Sequence, residues 1–142
     1  MSTSLPPDFN QQVIEEFRTN AGVVGGMFEG MSLLLLHDQG AKSGKPYIHP
    51  LVYHGEGGRY FIFASKGGAP ENPAWYHNLK AHPDAQIEVG TETIDVTATE
   101  LTGEERDRVF RGQMERAPQF ADYEKKTERT IPVVALTPKQ GG

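Results

Sequence analysis

Two glycine-rich turns, Gly55-Glu-Gly-Gly58 and Gly90-Thr-Glu92, each sit between short strand-like stretches, and this pattern constrains the fold more than any other feature. A tight turn joins strands only when they run antiparallel. Residues 47–54 and 59–65 form the first expected hairpin, and residues 85–89 and 93–101 the second. In the last of these, Ile94, Val96 and Ala98 alternate with Asp95, Thr97 and Thr99, so one face should be wet. Residues 32–37 and 131–136 add two further strands, the latter with Pro132 at its start or on an edge.

Helices are expected between these strands. Pro6, Pro7 and Asp8 precede Phe9, Val13, Ile14 and Phe17, which recur at helical spacing. Asn72-Pro73 reads as an N-cap followed by proline in the first helical position, opening a short helix that Pro83 stops. Thr102-Gly-Glu-Glu105 reads as a capping box before Val109, Phe110 and Met114, and a further helical stretch over 119–126 follows Pro118. The expected class is therefore α+β: about six mainly antiparallel strands in a barrel-like sheet, with inserted helices.

At 142 residues the chain is the size of one domain, here read as an N-terminal helical segment over 1–31 and a barrel over 32–142. Residues 20–31 carry Gly22, Gly25, Gly26 and Gly30 among apolar residues, which suits a packed connector, a lid or a stretch that touches a membrane. Fourteen Lys and Arg against nineteen Asp and Glu give a net charge of -5, which argues against a broad grip on nucleic acid. With no cysteine there is no disulfide, thiolate nucleophile or Cys-ligated metal. The five histidines lack the spacing of a metal motif, so no metal is expected. The apolar runs fall far short of the ~20 residues of a membrane span, and a cytoplasmic protein is the expectation.

Chemistry concentrates in two glycine-bearing stretches. Residues 40–46, GAKSGKP, resemble a nucleotide P-loop but are one residue too short between glycines, and Pro46 stands where a magnesium-binding hydroxyl should be. The strand-like pattern that follows also denies the loop a helix N-terminus. Lys42, Ser43, Gly44 and Lys45 can still bind an anion through ammonium groups, a hydroxyl and exposed amides, or can form a solvated hairpin turn. The second stretch places Lys66 before Gly67-Gly68 and leads to Trp75 and Tyr76, which fit either a flat ligand or the core of a small domain.

The two stretches together resemble the deazaflavin-dependent nitroreductase family of actinobacteria, whose members use coenzyme F420. The likeness runs from about Leu33 to Leu136. It is carried by GAKSGKP at 40–46, the proline of HPLVY at 49–53, ASKGG at 64–68, NPAWYHNLKAHP at 72–83 and ADYEKKTERTIPVV at 121–134, all in the same order.

This resemblance implies a split β-barrel of the FMN-binding, pyridoxamine-phosphate-oxidase type with F420 in a groove beside it. By likeness, Lys42, Ser43 and Lys66 would hold the coenzyme's phosphodiester and nearby anionic groups. His49, Pro50, Leu51, Ala64 and Ser65 would line the ring site, and Ala74, Trp75, Tyr76 and Asn78 would contact it from the short helix. Phe120 and Tyr123 would line the substrate pocket, with Tyr123 and Ser65 as candidate catalytic groups near a developing oxyanion, and His77 behind them. Tyr123 could equally be a hydrogen-bonding residue at a helix edge.

Two departures qualify the likeness. Family members commonly carry Arg where this chain has Ala41 and Tyr47, so two guanidinium forks are missing from the anion site, although Tyr47 could stack on a ring. The nitroreductase for which the family is named has tyrosines where this chain has Ala117 and Phe120, so efficient nitroimidazole reduction is not expected.

The implied activity is hydride transfer from the reduced deazaflavin to a small conjugated acceptor: a quinone, enone, coumarin-like lactone or nitroaromatic. The alternatives are an FMN-dependent reductase and a non-catalytic protein that carries F420 or a hydrophobic ligand. A homodimer through the apolar face at Ile94, Val96 and Ala98 is left open, because the same residues could be core, as is membrane contact through the N-terminal helix.

Overall fold

The computed structural model describes residues 9–25, 32–65 and 71–139. The expected helix entry at Pro6-Pro7-Asp8, the glycine-bearing residues 26–31 and Lys66 with Gly67-Gly68 lie outside the described residues. The elements are α1 (Phe9–Thr19), β1 (Leu33–Gln39), β2 (Pro46–Glu56), β3 (Arg59–Phe63), α2 (Ala74–Ala81), β4 (Asp84–Val89), β5 (Glu92–Glu100), α3 (Gly103–Arg116), α4 (Gln119–Lys126) and β6 (Val133–Pro138).

The six strands close into a barrel in the order β1-β2-β3-β6-β5-β4, and every neighbouring pair is antiparallel. Closure removes the exposed edges that an open sheet would leave. The strand alternation sorts side chains to two faces. Leu34, Leu36, Ile62, Ile87, Val96 and Leu136 fill the interior, with Ile94 and Ala98 packed against them. The Ile94, Val96 and Ala98 face is thus core, which removes it as a dimer surface.

Two satellite cores coat the outside. Val13, Ile14 and Phe17 of α1 pack on Leu33 and Leu35, so the apolar stripe read from the sequence is buried against the barrel. Val109 and Phe110 of α3 and Phe120 of α4 cover Phe61, Phe63, Val133 and Ala135. Each fully buried side chain of this kind contributes roughly 1.5–3 kcal/mol of transfer free energy.

Both expected helix caps differ from the sequence reading. Pro73, not Asn72, is the N-cap of α2, and no side chain caps it. The Asn72 carboxamide instead accepts a hydrogen bond of 2.6 Å from Arg129. Thr102 does cap α3, yet without a side-chain hydrogen bond, and Glu105 turns to Arg59 at 3.0 Å rather than closing a capping box. In both cases a distant guanidinium outcompetes the local amide, since a hydrogen bond to a charged donor is the stronger one.

Candidate active site

The register places one end of the barrel beneath four segments: the β1–β2 loop, the chain leaving β3, helix α2, and the chain entering β6. Of the predicted residues, Lys42, Ser43, His49, Ala64, Ser65, Ala74, Trp75, Tyr76 and Asn78 all lie at this end or on the helix that plugs it.

The lysine loop is a closed ring of hydrogen bonds. Gly40 N–H donates to Lys45 O and Gly44 N–H to Gly40 O, each at 2.9 Å, while Lys45 N–H donates to the Ser43 hydroxyl at 3.2 Å. The turn requires a positive φ of 70° at Gly44, and a Cβ at Gly40 would lie 2.5 Å from Ser43 Oγ. Lys42 and Lys45 are exposed and have no ion-pair partner among the described residues, and the amides of Lys42 and Ser43 meet no acceptor there. The loop therefore offers positive charge and free donors on a fixed frame.

Asn78 provides that frame. Its Oδ1 accepts from Ala41 N–H at 2.9 Å, and its Nδ2 donates to Asp38 Oδ2 at 2.9 Å. The two partners fix the orientation of the carboxamide, because a carboxylate can only accept and an N–H only donate. Asp38 shares the inner face of β1 with Leu34 and Leu36, and none of its side-chain surface meets solvent. Across the sheet, His49 Nε2 approaches Asp38 Oδ1 to 3.1 Å, close enough for an ion pair. The approach is off-line for a hydrogen bond, however, and both buried atoms remain without a hydrogen-bond partner. Leu51 lies on the same face as His49 and packs into the interior cluster, whereas Pro50 lies on the opposite face opposite Leu35.

On the other side of α2, Trp75, Tyr76 and Leu79 enter the barrel core, while Ala74 is exposed. The Tyr76 hydroxyl donates to Glu100 Oε1 at 2.7 Å. Burial, reinforced by this hydrogen bond and the nearby carboxylate, pushes the phenol up to about 12. Tyr76 is thus held as a neutral donor.

Arg129 joins the remaining segments. One nitrogen of its guanidinium donates to Ser65 O at 3.0 Å and another to Asn72 Oδ1 at 2.6 Å, so a single side chain spans from the end of β3 to the start of α2. Desolvation lowers its pKa against the opposing charge of Glu71. Ser65 and Ala64 are buried beside it. Phe63, Phe120 and Tyr123 form an edge-to-face series, with ring centroids 5.5 Å and 5.2 Å apart, on the outer flank covered by α4. Phe120 is buried and Tyr123 half-buried. His77 is exposed on α2.

Sequence reasoning passed over Asp38, Glu100 and Arg129. Asp38 had a signal: a lone carboxylate two residues beyond Leu36, at the parity of the apolar face. Arg129 lay inside one of the matching stretches but carried no local clue to its partners.

A closed antiparallel barrel plugged by a helix, with a hydrogen-bonded cationic loop at the plugged end, is a frame that could take an anionic ligand. The chain belongs to the F420H2-dependent quinone reductase family, whose description it matches over residues 10–138. It is 41% identical over 125 residues to an F420H2-dependent quinone reductase of Mycobacterium tuberculosis, covering 85% of this chain and 84% of that one. Among solved structures it resembles an F420-H2 dependent reductase with a TM-score of 0.68 and 43% identity, covering 73% of this chain and 92% of the other. A structure described as a domain-swapped dimer matches with a TM-score of 0.70 and 36% identity, over 89% of this chain and 94% of that one. At fold level alone, a pyridoxamine 5'-phosphate oxidase-like protein from Listeria innocua aligns with a TM-score of 0.57 at 10% identity, over 76% of this chain and 84% of that one.

Proposed function

We propose that this protein uses reduced F420 to reduce quinones, and that enones, coumarin-like lactones and nitroaromatics are further acceptors to be tested in that order. F420H2-dependent oxidoreduction is the activity of the family. The residues suit the coenzyme: F420 carries a phosphodiester and a polyglutamate tail, and the loop presents Lys42, Lys45 and two free amides held in place by Asn78. That loop is the observation that carries the reading.

Bound reduced F420 supplies a hydride, and the protein supplies position and charge. Lys42 and Ser43, with Lys66, are proposed to hold the anionic part. His49, Leu51, Ala64 and Ser65 are proposed to line the ring site, with Pro50 supporting the strand from its outer face. Trp75, Tyr76 and Asn78 are proposed to shape the site from α2, and Ala74 to contact the coenzyme directly. A quinone that accepts a hydride becomes a hydroquinone anion and needs one proton. Tyr123 and Ser65 are proposed to hold that oxygen and hand the proton on, with Phe120 walling the pocket. The helix α1 is read as part of the same unit as the barrel, on which its apolar stripe is buried.

Titration of the purified protein with F420, followed by coenzyme fluorescence with FMN as competitor, tests the reading. Tight F420 binding lost in the Lys42→Ala, Lys66→Ala double variant, with turnover of a soluble naphthoquinone, is expected. Absence of F420 binding, or preference for FMN, would overturn it.

A carrier without turnover is the second reading. It is favoured by the apolar surroundings of Phe120 and by Ala117, which leave Tyr123 as the one phenol of the α4 flank among the described residues. Binding without reduction of any acceptor would select it. A homodimer is proposed on the likeness to the domain-swapped structure, to be checked by light scattering. No helix among the described residues is long and apolar enough to cross a membrane. Peripheral contact would have to start from residues such as Val23, which is 68% exposed.

A further inference from the structure

We propose that Asp38 is a positioning residue of this site. Its buried carboxylate holds a proton on Nε2 of His49 and so turns Nδ1 toward the coenzyme, while through Asn78 it also anchors the lysine loop. The coenzyme part of this inference rests on the reading given above, in which His49 faces the deazaflavin ring.

Four observations carry it. A carboxylate with no side-chain surface in water is costly unless it is paired, and His49 is the one basic side chain within ion-pair distance of Asp38 among the described residues. The imidazole is asymmetric: Nε2 is buried against Asp38 Oδ1 at 3.1 Å, whereas Nδ1 is not among the buried unpartnered atoms and has no partner among the described residues. The His49 side chain keeps 23% of its surface exposed although Nε2 is buried, and the Tyr47 ring centroid stands 6.2 Å from that of the imidazole. Finally, the other carboxylate oxygen is already held by Asn78, whose carbonyl fixes Ala41 N–H, so one carboxylate links His49 to the loop through a single carboxamide.

In a histidine–carboxylate pair the carboxylate decides which ring nitrogen carries the proton, and an asparagine in its place reverses the choice. The bond between Asp38 and His49 is off-line here; a small ring rotation would align it, and bonds of this kind tighten when a ligand fills the site. The remaining capacity of Asp38 Oδ1 and His49 Nε2 is what such a rotation would satisfy.

The test separates the pair from the coenzyme. Proton–nitrogen correlation spectra of the full-length, 15N-labelled protein without coenzyme report the protonation of each imidazole nitrogen, with His49→Gln assigning the signals. The expected result is a proton on Nε2 in the wild type that moves to Nδ1 in Asp38→Asn, because the substituted carboxamide would present its NH2 to Nε2 while its carbonyl keeps the Asn78 bond. A ring unchanged by Asp38→Asn would overturn the proposal. F420 titration then reads the coenzyme side. His49→Asn, which loses the contact with Asp38, His49→Gln, which keeps a donor for Asp38 but has no Nδ1, and Asp38→Asn should each lose about ten-fold, or ~1.4 kcal/mol. Gln restoring both stability and affinity while Asn restores neither would show a purely structural pair and overturn the positioning role. If the wild type itself fails to bind F420 while the ring responds as expected, the assigned coenzyme falls and the control of His49 by Asp38 stands. His49→Gln keeps the proposal falsifiable if Asp38→Asn does not fold, because wild-type affinity in that variant would overturn it.

Discussion

His37 and Asp38 are neighbours in the chain, point to opposite faces of β1, and each belongs to a histidine–carboxylate pair. Outside the barrel, Glu88 receives His37 Nε2 at 2.6 Å and a two-pronged Arg18 at 3.1 and 2.6 Å. That cluster is satisfied and partly wet, and it pins α1 to β4. Inside, Asp38 faces His49 without an aligned bond, and its carboxylate has no exposed surface. Similar chemistry thus gives a fastener on one face and an unsatisfied, tightly packed centre on the other. Solvent explains the contrast. Glu88 keeps 17% of its side-chain surface exposed and its partner Arg18 48%, so that cluster is worth little, whereas Asp38 has none exposed and depends on its partners.

The comparison can be broken most sharply at His49. His49→Ala leaves a buried carboxylate with only Asn78, and unfolding in urea should show a loss of roughly 3 kcal/mol, the low end for a broken buried pair. A loss under about 1 kcal/mol would mean that the pair is not coupled. Asn78→Ala should cost about 2 kcal/mol, since it removes two buried hydrogen bonds, one of them to a carboxylate. It should also speed hydrogen exchange at the Ala41 amide, which would leave the lysine loop unanchored.

Tyr76 and Glu100 form an intermediate case, a buried phenol on an exposed carboxylate. Tyr76→Phe should cost about 1 kcal/mol. In an alkaline absorbance titration the wild type should show one tyrosine ionising at about 12, and that transition should vanish in the variant.

The smallest effect is expected outside. Glu88→Gln should cost less than about 1 kcal/mol at neutral pH. Arg18, followed by His37, lowers the Glu88 pKa from 4.5 against the opposing effect of burial. Its contribution is therefore present above the unfolded carboxylate range and fades as pH falls through the lowered folded value. Acid titration of stability should show the wild type and Glu88→Gln converging below about pH 4.5, with the difference also shrinking in salt.

Much of this fold was legible in the chain. The hairpins at 57–58 and 90–91, the wet and dry faces of β5, the stripe of α1 and the break at Pro118 all follow from signals spanning a few residues. The lysine loop was legible as a tight turn, open to an anion or simply solvated, and its assignment to a coenzyme, like that of its neighbours, came from the family likeness. The caps were misread because Asn72 and Glu105 have partners far along the chain, Arg129 and Arg59. Asp38 was overlooked because its meaning depends on which strand lies beside it.

The sequence by itself thus determined which helices, strands and turns form and, to within a residue or two, where, since periodicity, proline and glycine act through bonds within one or two turns of chain. Only the tertiary structure decided that β1 closes on β4 and β3 on β6. The same closure made Ile94, Val96 and Ala98 core rather than surface, and set Asp38 against His49 and Asn78. Those outcomes depend on hydrogen bonds and desolvation shared between segments distant in sequence, and no local pattern carries the free energy of closing the barrel.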